Sequence, residues 1–425
     1  MPSTPIAPIE SERAAGAGPD VGDPHAPFAT PIAIGGFELS LDTAPIDLLE
    51  SVARSMTAQR LDDWFSSVPG TDELAILSTC HRVEIVVLAR FPDTLERWLE
   101  VLPGPRERWR RSEGRATVRH LFRVAAGRES LALGEAEARR QVRTAGFGVR
   151  SRHPRPVLRE LFQAAARAAD DAHPSVPSSR SIAAIAVQRL LALVPGEAPR
   201  VLVIGSGTVG RQVAEGLGDR ARVTLVYHVR PPEPEFLART GAGAVPLAAL
   251  GEALGECDAI VTAAKFGDHG LGAADLPPDR RLVVVDLGMP RNIDPAVRGR
   301  SNVRLVDLEE LRAFAEGPRA LEAPDPRIDE LAEHYGDRLD RLLLEPWIDA
   351  FRRATEEVRR GELDRARAYL GVLAPGQEAA IDRLTRRLVT RLLEAPTERL
   401  RAIPAGPEGD RQRRLALEFL RPAHP

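Results

Sequence analysis

Cysteine, lysine and aromatic residues are scarce in this chain, and each scarcity excludes something. Only Cys80 and Cys257 carry thiols among 425 residues. Two cysteines so far apart make neither a disulfide framework nor a metal-ligand cluster, so no structural metal is expected and a reducing compartment fits best. Lys265 is the single lysine among 58 basic residues, a bias toward arginine that reflects coding composition more than chemistry. No run of 18 apolar residues occurs, and the N-terminal stretch lacks the basic start and continuous apolar segment of a secretory signal. The expectation is a soluble cytoplasmic protein with no membrane partner. A formal charge of -3 and a pI near 6.4 argue against a surface that is basic throughout, while leaving room for a local basic face.

What is present divides the chain. Residues 1–28, rich in Pro, Ala and Gly without periodicity, read as a disordered extension. Over residues 29–177 a strand at Ile32 to Phe37, a helical pattern from Pro45 through Trp64, strands at Leu74 to Ser78 and Val83 to Ala89, and a helix from Asp93 follow in order. That sequence describes most of a split βαβ, ferredoxin-like unit, extended by helices between Ala116 and Ala172. Residues 178–195 read as a linking helix, and 196–318 alternate strands and helices as a doubly wound parallel sheet does. From 319 to 425 the chain is all-α, with apolar positions at Ile328, Leu331, Tyr335, Leu339 and Leu342, then Ile381, Leu384, Leu388 and Leu392. Such helices want a partner helix, which predicts a dimerisation domain, or else close a bundle within one chain. The predicted fold class is thus α/β multidomain: a split βαβ catalytic domain, a Rossmann domain and an all-α C-terminal domain.

The strand Arg200 to Ile204 runs directly into Gly205-Ser206-Gly207-Thr208-Val209-Gly210 and then a helix. A glycine pattern alone is weak, but strand before and helix after supply the tight turn, the close backbone approach and the helix N-terminus that bind a pyrophosphate. The next strand ends Tyr227-His228-Val229-Arg230, without the carboxylate that holds an unphosphorylated ribose. The Arg230 guanidinium suits a 2′-phosphate and so NADPH over NADH, unless it is a solvated loop residue. Lys265 falls at the C-terminal end of a predicted strand, the edge where ligands bind, though a surface lysine is the commoner outcome.

Cys80 stands in Leu77-Ser78-Thr79-Cys80-His81-Arg82-Val83-Glu84. An adjacent guanidinium or imidazolium favours the thiolate, the nucleophilic form, whereas a small buried hydrophobe is the other reading of a free cysteine. Arg106, Arg108, Arg110 and Arg111 around Trp109 form the densest basic-aromatic cluster, a phosphate grip with a stacking ring or simply a solvated face.

The chain resembles the glutamyl-tRNA reductase family. The resemblance is carried by the Cys80 segment, by His120-Leu121-Phe122-Arg123-Val124-Ala125-Ala126-Gly127, by Glu129-Ser130-Leu131-Ala132-Leu133-Gly134-Glu135, by the Gly205 loop and by Asp286-Leu287-Gly288-Met289-Pro290-Arg291-Asn292-Ile293-Asp294-Pro295. It implies NADPH-dependent reduction of glutamyl-tRNA to glutamate-1-semialdehyde through a Cys80 thioester, the first step of five-carbon tetrapyrrole synthesis. It further implies substrate recognition by Thr79, Arg82, Ser130, Glu135 and Gln141, with His120 as proton donor to the leaving tRNA hydroxyl or orienter of the thiolate. A homodimer and a glutamate-1-semialdehyde aminomutase partner are implied as well.

Departures from the family pattern bear on the site. His81 stands where the family usually has asparagine, and Ala136-Glu137-Ala138 replaces Pro-Gln-Ile, so that His81, Ala136 and Glu137 join the substrate-contact candidates. The second Rossmann strand lacks Asn-Arg-Thr, and the run after Val261 lacks Ser-Ser-Thr. These leave two alternatives: a catalytically weak tRNA-binding regulator, and a reductase of another activated acyl group.

Overall fold

The computed structural model describes residues 33–79, 81–90, 92–129, 136–172, 181–264, 270–315, 325–371, 373–403, 409, 411–412 and 415–416. The extension predicted at 1–28, and Cys80, Ser130, Glu135 and Lys265, lie outside them. The first elements are β1 (Ala33–Ser40), α1 (Ile46–Ser55), α2 (Ala58–Ser67), β2 (Thr71–Ser78), β3 (Arg82–Ala89), α3 (Pro92–Val101) and β4 (Arg110–Glu113). Next come α4 (Arg115–Ala125), α5 (Ala136–Phe147), β5 (Arg150–Ser151) and α6 (Val157–Ala172). The strands form one antiparallel sheet in the order β4-β1-β3-β2-β5, the split βαβ arrangement with a short fifth strand at its edge. The helical pattern from Pro45 through Trp64 proves to be two helices. Thr57 separates them, its hydroxyl accepting from Arg60 N at 3.2 Å and so capping α2.

Side chains alternate across a strand, and here the alternation sorts charge as well as packing. Odd-numbered Phe37, Leu39, Val83, Ile85 and Val87 pack with Leu49, Trp64 and Trp98 from α1, α2 and α3. Even-numbered Ile34, Val86 and Leu88 pack with Phe122, Leu158 and Phe162 from α4 and α6. Glu38, Arg82 and Glu84 have the second parity and enter the protein on the α4 side.

Ser181 accepts from Ala184 N at 3.1 Å and caps α7 (Ile182–Leu193). There follow β6 (Arg200–Ile204), α8 (Thr208–Leu217), β7 (Arg222–Tyr227), α9 (Pro234–Thr240), β8 (Gly243–Pro246), α10 (Leu250–Glu256), β9 (Ala259–Thr262), β10 (Leu282–Asp286), β11 (Val303–Val306) and α11 (Leu308–Ala315). All six strands are parallel, in the order β11-β10-β9-β6-β7-β8. The strand β8, four residues ending in proline, is too short to announce itself in the sequence. The winding reverses between β6 and β9, and their C-terminal ends flank the crevice where such sheets bind nucleotides.

The remaining helices are α12 (Pro326–Leu370) and α13 (Pro375–Ala402). The first apolar stripe of α12 is not kept for another chain: Ile328, Tyr335 and Leu339 are buried in the core that holds Phe122 and Phe162. Arg115 of α4 fixes that part of α12, donating to Asp340 Oδ2 at 2.8 Å, Asp337 Oδ1 at 2.6 Å and Glu333 Oε2 at 3.1 Å. A second unit, Glu345–Arg399, is a helical hairpin turning at Gly371 (φ +69°) and crosslinked by Arg359 to Asp382 at 2.9 Å and Arg367 to Glu378 at 2.6 Å. Leu384, Leu388 and Leu392 of α13 are solvent-exposed. No helix among the described residues is long and apolar enough to cross a membrane.

Candidate active site

Thr79 and His81 lie between β2 and β3, either side of Cys80 in the sequence, and Thr79 N donates to Arg82 O at 2.9 Å. Thr79 is buried; its Oγ1 accepts from His81 N at 3.3 Å and lies 3.5 Å from His81 Nδ1. Arg82, 1% exposed, donates from Nη1 to Glu84 Oε1 at 2.8 Å, from Nε to His81 Nε2 at 3.2 Å, and from Nη2 to the Glu129 carbonyl. Since His81 accepts at Nε2, its proton belongs on Nδ1. Burial, with the Arg82 charge beside it, pushes the His81 pKa down to about 3, so the ring is neutral.

His120 of α4 is the opposite case. Its Nε2 lies 3.1 Å from Glu84 Oε1 and its Nδ1 lies 2.8 Å from Glu129 Oε2. Burial alone would discharge the ring, yet the Glu84 and Glu129 carboxylates outweigh it and lift the pKa to about 10. Glu84 answers in kind: burial raises its pKa, but His120 and Arg82 bring it down to about 2. Glu38 completes the group, with Oε1 3.7 Å from Arg82 Nη1. Three carboxyl groups therefore share two cations, beside a cavity of about 150 Å³ lined in part by Glu38, Glu84, His120 and Thr117. Glu38, His120 and Glu129 bring ligand-type atoms within 4.8 Å of one another. A metal there would have to displace the His120 proton and sit beside Arg82, so the donor set suits internal charge pairing better than an ion.

Sequence reasoning singled out Thr79, His81, Arg82 and His120, and the structure brings these together. Glu137 and Gln141 lie on α5 and are joined to each other, Gln141 Nε2 donating to Glu137 Oε1 at 3.1 Å. Among the described residues no hydrogen bond or ion pair ties them to the cluster. Glu38, Glu84 and Glu129 were missed as site residues. Part of the signal was legible: Arg82 and Glu84, two apart in an otherwise apolar strand, must share one buried face. The basic-aromatic cluster needs correcting. Trp109 is buried, its Nε1 donating to Pro103 O at 3.0 Å, and Arg111 pairs with Glu96 at 2.5 Å and Glu113 at 2.6 Å. The ring is core and cannot stack on a base. Cys257 is buried, its Sγ 3.4 Å from Leu254 O and its pKa pushed by burial up to about 11, which makes it unreactive.

In the second sheet, Gly205 has φ +115°, and a Cβ there would meet the Ala263 carbonyl oxygen at 2.8 Å. A Cβ on Gly210 would come within 1.8 Å of Gly205 O, so the α8 turn can close only on glycine. Gly207 faces open space, and no side chain caps the start of α8. Amide donors and room are thus left where a pyrophosphate binds, with Ser206, Thr208 and Val209 completing the loop. Arg230, exposed just past β7, makes no hydrogen bond or ion pair with a described residue.

This glycine loop, at the switch point of a parallel sheet in the 3-2-1-4-5-6 order, defines a nicotinamide-dependent oxidoreductase. Residues 192–314 match the family model described as shikimate / quinate 5-dehydrogenase. Residues 38–175 match the N-terminal domain of glutamyl-tRNAGlu reductase, and 326–421 its dimerisation domain. Glutamyl-tRNA reductase 2 of Nocardioides sp. is 34% identical over 391 residues, covering 85% of this chain and 86% of its own length. Glutamyl-tRNA reductase of Rubrobacter xylanophilus is 29% identical, with coverage of 87% and 92%. The solved glutamyl-tRNA reductase of Methanopyrus kandleri is 24% identical, covers 91% of this chain and 98% of its own, and superposes with a TM-score of 0.47. The chain belongs to the glutamyl-tRNA reductase family, which catalyses the first step of tetrapyrrole biosynthesis.

Proposed function

We propose that this chain reduces the glutamyl ester of glutamyl-tRNA to glutamate-1-semialdehyde, with Cys80 as nucleophile and NADPH as reductant. One observation carries the reading: Thr79, His81 and Arg82, the neighbours of Cys80, are built into a buried charged cluster with His120, in a member of this family. The Cys80 thiolate attacks the ester carbonyl carbon; a C–S bond forms, the ester C–O bond breaks, and the tRNA oxygen leaves as a hydroxyl by taking a proton from solvent water. A nicotinamide dinucleotide, when bound in the Gly205 loop, supplies a hydride to the thioester carbon. Cleavage of the C–S bond then frees the aldehyde and restores the thiolate.

His120 stays charged through the neutral range and has a carboxylate at each ring nitrogen. Of its two expected roles, orienter of the thiolate is the one this arrangement supports over proton donor to the leaving tRNA hydroxyl, since a ring held charged by two carboxylates gives up its proton reluctantly. Arg82 is already held by Glu84, so a substrate carboxylate reaching it must exchange with one of the enzyme's own. Thr79, Ser130, Glu135 and Gln141 complete recognition of the glutamyl group. Arg230 selects NADPH by pairing with the 2′-phosphate. The chain works as a cytoplasmic homodimer joined through its C-terminal helices, and it passes a reactive aldehyde to an aminomutase.

The test uses wild type and Cys80→Ser with glutamyl-tRNA. Wild type without cofactor gives a glutamyl adduct on Cys80 by mass spectrometry, and with NADPH gives ribonuclease-sensitive semialdehyde; the variant gives neither. Turnover that survives ribonuclease, or loss of the sulfur, refutes the proposal.

A further inference from the structure

The loop after β10 is shaped by one buried carboxylate. Asp286 accepts from Thr262 Oγ1 at 2.6 Å, from Gly288 N at 2.9 Å and from Ile293 N at 2.9 Å. Folded around it, the loop leaves the C-terminal edge of the nucleotide sheet, beside β9 and the Ala263 backbone that abuts Gly205. Its Arg291 does not face that edge. The guanidinium forks onto Glu50 of α1, Nε to Oε1 at 2.9 Å and Nη2 to Oε2 at 2.8 Å, and Arg291 N adds a bond to Glu50 Oε1 at 2.5 Å. Asp47 pairs with the same Nη2. Arg291 and Glu50 are both buried, at 7% and 4% exposure.

The gripped segment leads straight to the Cys80 turn. Leu41 N donates to His81 O at 3.1 Å, and Ser40 is in register with Arg82. Arg312 of α11 holds the same segment through the Leu41 carbonyl and Asp42. Leu41 and Met289 each pack against the nucleotide-domain core and the first-sheet core. The nucleotide domain therefore holds one continuous stretch of the first domain at two places, Arg291 at Glu50 and Arg312 at Leu41 and Asp42, and Leu41 in turn bonds the residue after Cys80.

We propose that the Arg291–Glu50 fork is a docking pin that positions the nucleotide edge against the Cys80 turn, so that hydride transfer depends on it and thioester formation does not. This rests on the proposed function. A buried bidentate pair fixes both distance and angle, which a solvated contact cannot. Acyl transfer needs only groups within residues 29–177 and none from the nucleotide sheet. Hydride transfer needs atoms on the two domains held to within about 1 Å, and misplacement on that scale costs about 100-fold in rate. Arg291 and Glu50 are thus positioning residues.

The experiment compares wild type, Arg291→Gln, Glu50→Gln and the double variant as full chains. Rates of Cys80 adduct formation are read by quenched mass spectrometry without cofactor, and reduction by single-turnover NADPH oxidation. The expected result is adduct formation within about twofold of wild type and reduction slowed at least about tenfold. The double variant should be no slower than the slower single variant, because the two changes remove one contact. Hydrogen exchange over residues 41–50 should quicken in each. Reduction at the wild-type rate in a folded variant overturns the pin, and so does a parallel fall in adduct formation and reduction. Should the glutamine variants fail to fold, Glu50→Asp keeps the charge with a shorter reach and must still slow reduction selectively. A wild type that forms no adduct defeats the functional reading, and with it the assignment to one half-reaction, whatever the exchange data say of docking.

Discussion

Glu38 and Glu84 stand directly opposite each other on β1 and β3, two buried carboxyl groups on one side of one sheet. Like charges so placed drive strands apart unless counter-ions lie between them. Arg82, 2.8 Å from Glu84 and 3.7 Å from Glu38, and His120 supply those counter-ions. The cluster holds as a set. Glu84→Gln leaves Arg82 and His120 short of a counter-charge and should cost about 3–5 kcal/mol in urea unfolding. A loss below about 1 kcal/mol would mean that the group is solvated.

His120 links the same cluster to pH. Its folded-state pKa of about 10 lies above the ordinary 6.5. The stabilisation is complete below about pH 6.5 and is lost as pH rises through about 10. Wild type should therefore lose stability between pH 7 and 10, and His120→Gln should lack that slope. The variant's turnover should fall while its pH–rate profile keeps its shape; a vanished limb would restore proton donation to this ring.

The glycine loop separates fold from binding. Gly205→Ala forces a side chain onto a backbone with φ +115° and against Ala263, and should cost about 1–3 kcal/mol of stability along with cofactor affinity. Gly207→Ala meets no described atom within 4 Å beyond its immediate neighbours, so its melting temperature should hold while NADPH affinity in fluorescence titration drops about tenfold. Unchanged affinity would move the pyrophosphate elsewhere.

Arg230→Gln should weaken NADPH about tenfold and leave NADH untouched, the loss of one charge-assisted contact. Equal effects on both cofactors would return Arg230 to the solvent.

Leu384, Leu388 and Leu392 recur every four residues on α13, at 66%, 58% and 65% exposure. Replacing all three with Glu should convert a dimer to monomer in sedimentation, since the stripe is exposed among the described residues. A dimer that persists would place the interface on another face.

Local pattern made a good part of this legible. The apolar alternation of Val83 to Ala89 and the strand-loop-helix around Gly205 are short-range signals, and both domains followed from them. The split of the Pro45 to Trp64 helix at Thr57 escaped because a cap and a mid-helix threonine look alike without the backbone. The stripe at Ile328, Tyr335 and Leu339 read as an interface because periodicity reports an apolar face and not what covers it. Trp109 among arginines misled for the same reason.

The sequence by itself determined most of the elements, the glycine loop and the neighbours of Cys80, because each depends on residues within one turn or one strand. Only the tertiary structure decided that Glu38 and Glu129 join Arg82, Glu84 and His120, and that His81 is neutral where His120 is charged. Those outcomes depend on strand register and on burial, which bring together groups up to 91 positions apart, and a charge state follows from what surrounds a side chain in space.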